Sequence, residues 1–99
     1  MKILRTKHDL KEALNNIKNL GFVPTMGLIH NGHISLIKKS KLKCKKTLVS
    51  IYVNPKQFNS KKDFSKYPRN IKRDLKILKK HKVNFVFTPS TKEIFKEKE

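Results

Sequence analysis

Apolar positions along this chain recur with two different periods, and the switching between them predicts the elements. Thr6 followed by Asp9 marks a helix start, and Leu10, Ala13, Leu14 and Ile17 continue it as one stripe at helical spacing, ending near Asn19. Leu20 to Pro24 reads as a short buried strand. Ile34, Leu36 and Ile37 begin a second helix over about 32–45, with Lys38, Lys39, Lys41 and Lys43 around its solvent side. Thr47 to Val53 is the clearest strand, rich in β-branched residues and stopped by Asn54-Pro55. Residues 56–68 show little periodicity and read as a polar connection. Asn70 caps a third helix in which Ile71, Leu75 and Leu78 share a face. Val83 to Phe87 is a third strand, and Thr91 to Glu97 a short closing helix. Strands alternating with helices imply an α/β fold with crossover connections, here an incomplete parallel sheet of about three strands with flanking helices.

Composition changes this picture little. Ninety-nine residues allow one domain, and 36% hydrophobic residues allow a modest core. The 25 Lys+Arg against 7 Asp+Glu, a net charge of +18, invite a nucleic-acid reading, because clustered cations gain by releasing counterions from a phosphate backbone. Two details count against it. Arginine occurs only at Arg5, Arg69 and Arg73, and the lysines are spread over every segment instead of forming one basic patch. A genome biased toward A/T codons gives the same richness in Lys, Asn and Ile, so no specific nucleic-acid partner is expected. Cys44 is alone, which excludes a disulfide framework and a CxxC metal or redox pair. The N-terminus has no apolar signal core and no apolar run is long enough to span a bilayer, so a cytoplasmic location and no membrane partner are expected.

The chemistry concentrates at Val23-Pro24-Thr25-Met26-Gly27, followed by His30-Asn31-Gly32-His33. An extended run breaks at Pro24 and Gly27 and leads into a helix start carrying two histidines at i and i+3, hence on one face. Backbone N–H groups and the positive end of the helix dipole gather there, a setting that suits an anion and above all phosphate. Gly32, lacking a Cβ, is expected to let a ligand approach the backbone. A zinc pair fits poorly, because the i, i+4 spacing and glutamate of a zincin helix are missing. His8 and His81 have no such context and are expected at the surface. Ligands of open α/β sheets bind beyond the carboxyl ends of the strands. Pro24-Thr25-Met26 and Asn54-Pro55-Lys56-Gln57 therefore belong at one edge of the sheet.

These residues resemble the pantoate–β-alanine ligase family of the HxGH nucleotidyltransferase superfamily. The tetrad His30 to His33 is shared across that superfamily. The run Gly21 to Gly27 before it and Ser35-Leu36-Ile37 after it narrow the likeness. Further blocks follow in order: Val49 to Phe58, Asp63 through Tyr67-Pro68-Arg69 to Asp74, and Val83 to Pro89 with Glu93-Ile94-Phe95. The resemblance implies ATP-dependent joining of pantoate and β-alanine through a pantoyl-adenylate intermediate. It implies that His30 and His33 contact the ATP phosphates and offset the charge built up during adenylate formation. Pro24, Thr25 and Met26 would line the nucleotide and pantoate pocket, Gln57 would hydrogen-bond pantoate, and Asn54 would shape that pocket. Mg²⁺ would accompany ATP, with no dedicated metal cage.

The resemblance further implies that residues 1–99 form the N-terminal part of the family's Rossmann-like nucleotide-binding domain, the C-terminal domain being absent. The family's catalytic lysine, its second pantoate-binding glutamine and the loop that closes over ATP have no counterpart before Glu99. A missing C-terminal half or a homodimer partner would have to supply them. The isolated chain is accordingly expected to be weakly stable and at best feebly active, which pantothenate formation at an ordinary enzymatic rate would refute. Two other readings stay open: another HxGH nucleotidyltransferase, which pantoate-dependent ATP consumption would separate, and a basic nucleic-acid-binding module without catalysis.

Overall fold

A computed structural model describes residues 1–96. Its elements run β1 (Lys2–Leu4), α1 (Lys7–Leu14), β2 (Leu20–Thr25), α2 (Asn31–Lys43), β3 (Lys46–Ile51), α3 (Lys61–Lys66), α4 (Ile71–Lys80), β4 (Phe85–Phe87) and α5 (Thr91–Ile94). The sheet has four strands rather than about three, in the order β1-β4-β3-β2, with every neighbouring pair parallel. The additional strand is β1. Three residues are too few to show a period, and what makes them a strand is their register with β4, Lys2 opposite Phe85 through Leu4 opposite Phe87. The same end of the fold is tied by the Lys7 backbone N–H, which donates to the Glu93 carboxylate at 2.9 Å.

Other boundaries also differ from the sequence reading: α2 ends at Lys43 rather than near 45, and β4 begins at Phe85 rather than Val83. Helix α1 stops at Leu14, because Asn15 and Asn16 favour a turn over a continued helix and Asn19 takes a left-handed φ of 60°. Strand β3 ends at Ile51, two residues early, where the chain turns toward the cleft described below. The polar connection is not structureless. Asn54 caps a 3-10 turn over Pro55–Gln57, and Ser60 caps α3 by accepting the Asp63 N–H at 3.1 Å. Helix α3 has six residues and one apolar anchor, Phe64, so no period could announce it. The closing helix is described to Ile94, and Glu97 lies outside the described residues.

Successive residues of a strand face opposite sides of a sheet, and β3 shows both sides buried. Val49 joins Val23, Ile29, Ile37, Leu78, Val83 and Val86 under α2 and α4. Leu48 joins Leu4 and Phe87, with Leu10, Leu14 and Ile94 of α1 and α5 packed against them. Helices on both faces thus leave the strand ends as the place for a cleft. The sheet ends on β1 at one side and on β2 at the other, where Phe22 is 56% exposed.

Candidate functional site

Strand β2 ends in a latch. Thr25 Oγ1 donates to the Ser50 carbonyl at 2.9 Å and accepts the Gly27 N–H at 3.1 Å, tying β2 to β3 and starting a sharp turn. Gly27 and Leu28 both take left-handed φ values, 87° and 54°. Glycine is suited to the first, where a Cβ would also lie 3.3 Å from Asp74 Oδ2. Leucine is not suited to the second, and something must hold it there. That group is Asp74, projecting from the first turn of α4 and 1% exposed. Its Oδ2 accepts the Leu28 N–H at 2.8 Å and its Oδ1 the Ile29 N–H at 2.9 Å. Arg73 completes the arrangement, with Nη1 at 3.2 Å from Asp74 Oδ1 and Nη2 donating to the Ile29 carbonyl at 3.0 Å. The fully buried Ile29 side chain anchors the turn in the core.

The next residue is His30, the N-cap of α2. The two histidines cap the helix reciprocally: Gly32 N–H donates to His30 Nδ1 at 3.0 Å, and His30 N–H donates to His33 Nδ1 at 3.1 Å. The rings lie 3.9 Å apart with planes tilted by 31°. With Nδ1 occupied as an acceptor, each neutral ring carries its proton on Nε2 and offers an N–H there. Burial, reinforced by the neighbouring His30 and partly offset by Asp74, holds His33 below the ordinary imidazole value. His33 is therefore a neutral donor near pH 7. The helix start thus differs from the expected cluster of open backbone donors, because the imidazoles occupy two of them and present Nε2–H in their place. Gly32 has a structural requirement of its own: a Cβ would stand 2.9 Å from His30 Cε1.

The opposite wall comes from the segment after β3. Asn54 Oδ1 accepts the Lys56 N–H at 3.0 Å, which directs the chain into the 3-10 turn and sets Gln57 at the cleft. Phe58 meets Phe64 and Tyr67 edge-on at 5.5 and 5.4 Å. Arg69 lies 4.8 Å over the Phe64 ring and donates to the Tyr67 and Phe64 carbonyls at 2.6 and 3.1 Å. Lys56, which stands near the cleft in sequence, lies over the Phe95 ring at 4.5 Å.

Between the walls is a cleft of about 630 Å³, a size that suits a nucleotide-sized ligand. It gathers Pro24, Thr25, Met26, His30, His33, Asn54 and Gln57; Gly32 is not among its lining residues. A second cavity of about 340 Å³ adjoins it across Met26, Gly27 and Tyr52 and reaches Arg5 and Arg69. Sequence reasoning gives no site role to Tyr67, Ser50 and Tyr52, which line the cleft, or to Asp74 behind it. The signal for Asp74 was an acid at position 74 on the stripe 71, 75, 78, a charge on a face expected to be buried. His8 is exposed as expected, whereas His81 is half-buried at the end of α4, its N–H donating to the Ile77 carbonyl at 3.1 Å. Among the described residues no three His, Cys, Asp or Glu side chains converge to hold a metal ion, and no helix is long and apolar enough to cross a membrane.

Known proteins place this architecture. The family model described as pantoate-beta-alanine ligase matches residues 2–99. The pantothenate synthetase of Bartonella henselae is 43% identical over 96% of this chain and 35% of its own length. That of Carboxydothermus hydrogenoformans is 52% identical over 81% of this chain and 28% of its own. The pantoate-beta-alanine ligase of Francisella tularensis, solved in complex with beta-gamma ATP and β-alanine, superimposes with a TM-score of 0.92 at 42% identity, covering 98% of this chain and 38% of that one. The Thermus thermophilus enzyme gives a TM-score of 0.88 at 36% identity, covering 94% of this chain and 33% of that one. The chain thus spans about a third of the length of the curated relatives it matches. With the family model matched from residue 2 onward and the strand-end cleft built on its most distinctive peptides, the chain belongs to the pantoate–β-alanine ligase family.

Proposed function

We propose that this chain forms the N-terminal part of the nucleotide-binding domain of a cytoplasmic ligase that joins pantoate to β-alanine with ATP. The observation that carries the reading is the convergence of His30, His33, Asn54 and Gln57 on one cleft at the carboxyl ends of β2 and β3, in a chain of this family. In the first step a pantoate carboxylate oxygen attacks the α-phosphorus of ATP and pyrophosphate leaves, giving pantoyl adenylate. The neutral β-alanine amine then attacks the acyl carbon, AMP departs with the bond electrons, and the nitrogen gives up a proton to solvent.

Neither step needs a covalent bond to the protein. Each needs alignment of the reactants and donors placed where negative charge accumulates. The Nε2–H groups of His30 and His33 supply such donors to the phosphates. A neutral imidazole at His33 suits the task, since its hydrogen bond strengthens as charge builds and no proton has to be transferred. The backbone of Pro24, Thr25 and Met26 lines the nucleotide and pantoate side of the cleft, with Met26 offering thioether surface to an aliphatic body. The Gln57 amide hydrogen-bonds pantoate, and Asn54 shapes that end of the pocket. Mg²⁺ would accompany ATP on its phosphates, where it would offset their negative charge.

Titration of the chain with ATP, followed by amide NMR, tests the reading. Shifts centred on residues 26–33 and 54–57, abolished in His30→Ala and His33→Ala variants that keep the parent spectrum elsewhere, are the expected result. A chain that ignores ATP but binds DNA with an affinity falling steeply with salt, equally in parent and both variants, would overturn it. Pyrophosphate release that depends on pantoate, measured after addition of any segment that completes the domain, separates this ligase from other nucleotidyltransferases.

A further inference from the structure

We infer that Asp74, braced by Arg73, is a positioning residue for the histidine pair: from the first turn of α4 its carboxylate fixes the left-handed turn before α2 and so sets where His30 and His33 stand over the cleft. The inference rests on the reading that these two rings receive nucleotide phosphates.

Four observations converge on it. The carboxylate accepts the N–H groups of Leu28 and Ile29, the two residues immediately before His30. Leu28 takes a φ of 54°, a conformation that a non-glycine residue keeps only when its surroundings impose it. Arg73 holds the Ile29 carbonyl, so both backbone polar groups of Ile29 are gripped from α4. The rings also cannot move independently of this turn. His30 N–H is the donor to His33 Nδ1, so a rotation of the 29–30 peptide breaks the hydrogen bond that orients the second ring while carrying the first away.

Chemistry separates this role from plain core filling. An apolar residue at position 74 would serve packing between Leu75 and Leu78 at lower desolvation cost than a buried carboxylate. A carboxylate is the one side chain that accepts two adjacent backbone N–H groups on two oxygens with charge assistance. Asparagine keeps the shape and one acceptor, yet turns an amide NH₂ toward the other N–H, so Asp74→Asn tests the geometry with little change in volume.

The experiment uses the full chain labelled with ¹⁵N, and long-range histidine spectra near pH 7.5, with His8 and His81 as internal references. In the parent, His30 and His33 are expected as fixed Nε2–H tautomers. In Asp74→Asn their signals move toward the averaged values of His8, while amides of Thr47 and Val86 stay in place, and ATP affinity falls about tenfold, the equivalent of one lost charge-assisted hydrogen bond. Asp74→Glu, which keeps the charge but displaces the oxygens, does not restore either readout. A folded Asp74→Asn chain with unchanged His30 and His33 signals would overturn the inference. If Asp74→Asn does not fold, Arg73→Gln carries the test, because that side chain is half exposed. It should shift the same signals in the same direction by less, and unchanged signals there would equally overturn the inference. A parent that shows fixed tautomers sensitive to position 74 but no ATP binding would defeat the proposed function and leave the positioning role standing.

Discussion

The two walls of the cleft are built by different physics. The wall from Pro24 to His33 is held by directional hydrogen bonds: the Thr25 latch and the buried Asp74 carboxylate inside, the exposed reciprocal histidine caps outside, with the fully buried Ile29 as anchor. The wall from Asn54 to Tyr67 contains no buried residue in its 3-10 turn or in α3, and is held by edge-on aromatic contacts and Arg69. Directional bonds in a water-poor place fix atoms to a fraction of an ångström, whereas half-exposed ring contacts tolerate sliding. Regions with few buried contacts also open at lower free energy than the core. The histidine wall is thus the template of the site, and the Asn54–Tyr67 wall is the part able to adapt to what enters.

The most severe way to break this contrast is Asp74→Ala. Two backbone N–H groups would lose their acceptor in the interior, costing about 3 kcal/mol, a large part of what so small a domain possesses. Urea or thermal unfolding should show this drop; a loss below about 1 kcal/mol would mean that water or another acceptor replaces the carboxylate. Phe58→Ala strikes the other wall. It should cost about 1 kcal/mol in stability, weaken binding of ligands that touch Gln57, and leave the histidine ring signals untouched. Coupled movement of those signals would show that the two walls are not independent.

A smaller effect comes from pH. Because His33 is held below 6.5 in the fold, the unfolded chain binds more protons than the native chain as acid is added. Its contribution is fully present above 6.5 and is lost as pH falls from there through the folded value. Unfolding curves at about pH 5 and 7.5 should therefore converge in His33→Gln relative to the parent, and an equal pH response in the two would contradict the assignment. The smallest change is Lys82→Gly, remote from both walls. Lys82 sits at a φ of 60° just beyond α4, so glycine should gain about 0.5 kcal/mol without altering ATP binding. A loss would show that the Lys82 side chain contributes more than its backbone strain costs.

The contrast also explains what could be read from the sequence. Helices α2 and α4 and strand β3 were legible because each is long enough for its period to show. The two-histidine corner was legible because the extended run breaks at Gly27 and two histidines at i and i+3 then open a helical pattern. Strand β1 was not, since three residues carry no period and its partner lies at Phe85–Phe87. Helix α3 was hidden among lysines with a single apolar anchor. Asp74 escaped for a deeper reason. Its partners lie 45 and 46 residues away in sequence, and no local pattern reveals that an acid on a buried stripe will meet two N–H groups there. The polar residues of the cleft were found through the peptides on either side of them, whereas Tyr67 follows the stretch 56–66, whose lack of periodicity gives no direction to its side chain.

The pairing of β1 with β4 sets an order of events during synthesis. Lys2 leaves the ribosome first, yet its partner Phe85 is made 83 residues later. At common elongation speeds that is a delay of roughly ten seconds. During it β2, α2 and β3 can already associate, because they are neighbours in both sequence and sheet. The newborn chain thus pairs β2 with β3 while Ile3 and Leu4 still wait for a strand to join, and its histidine corner is fixed only once Arg73 and Asp74 have been made. Chaperone capture of nascent chains should accordingly map to this N-terminal segment until residues 85–87 have emerged from the ribosome.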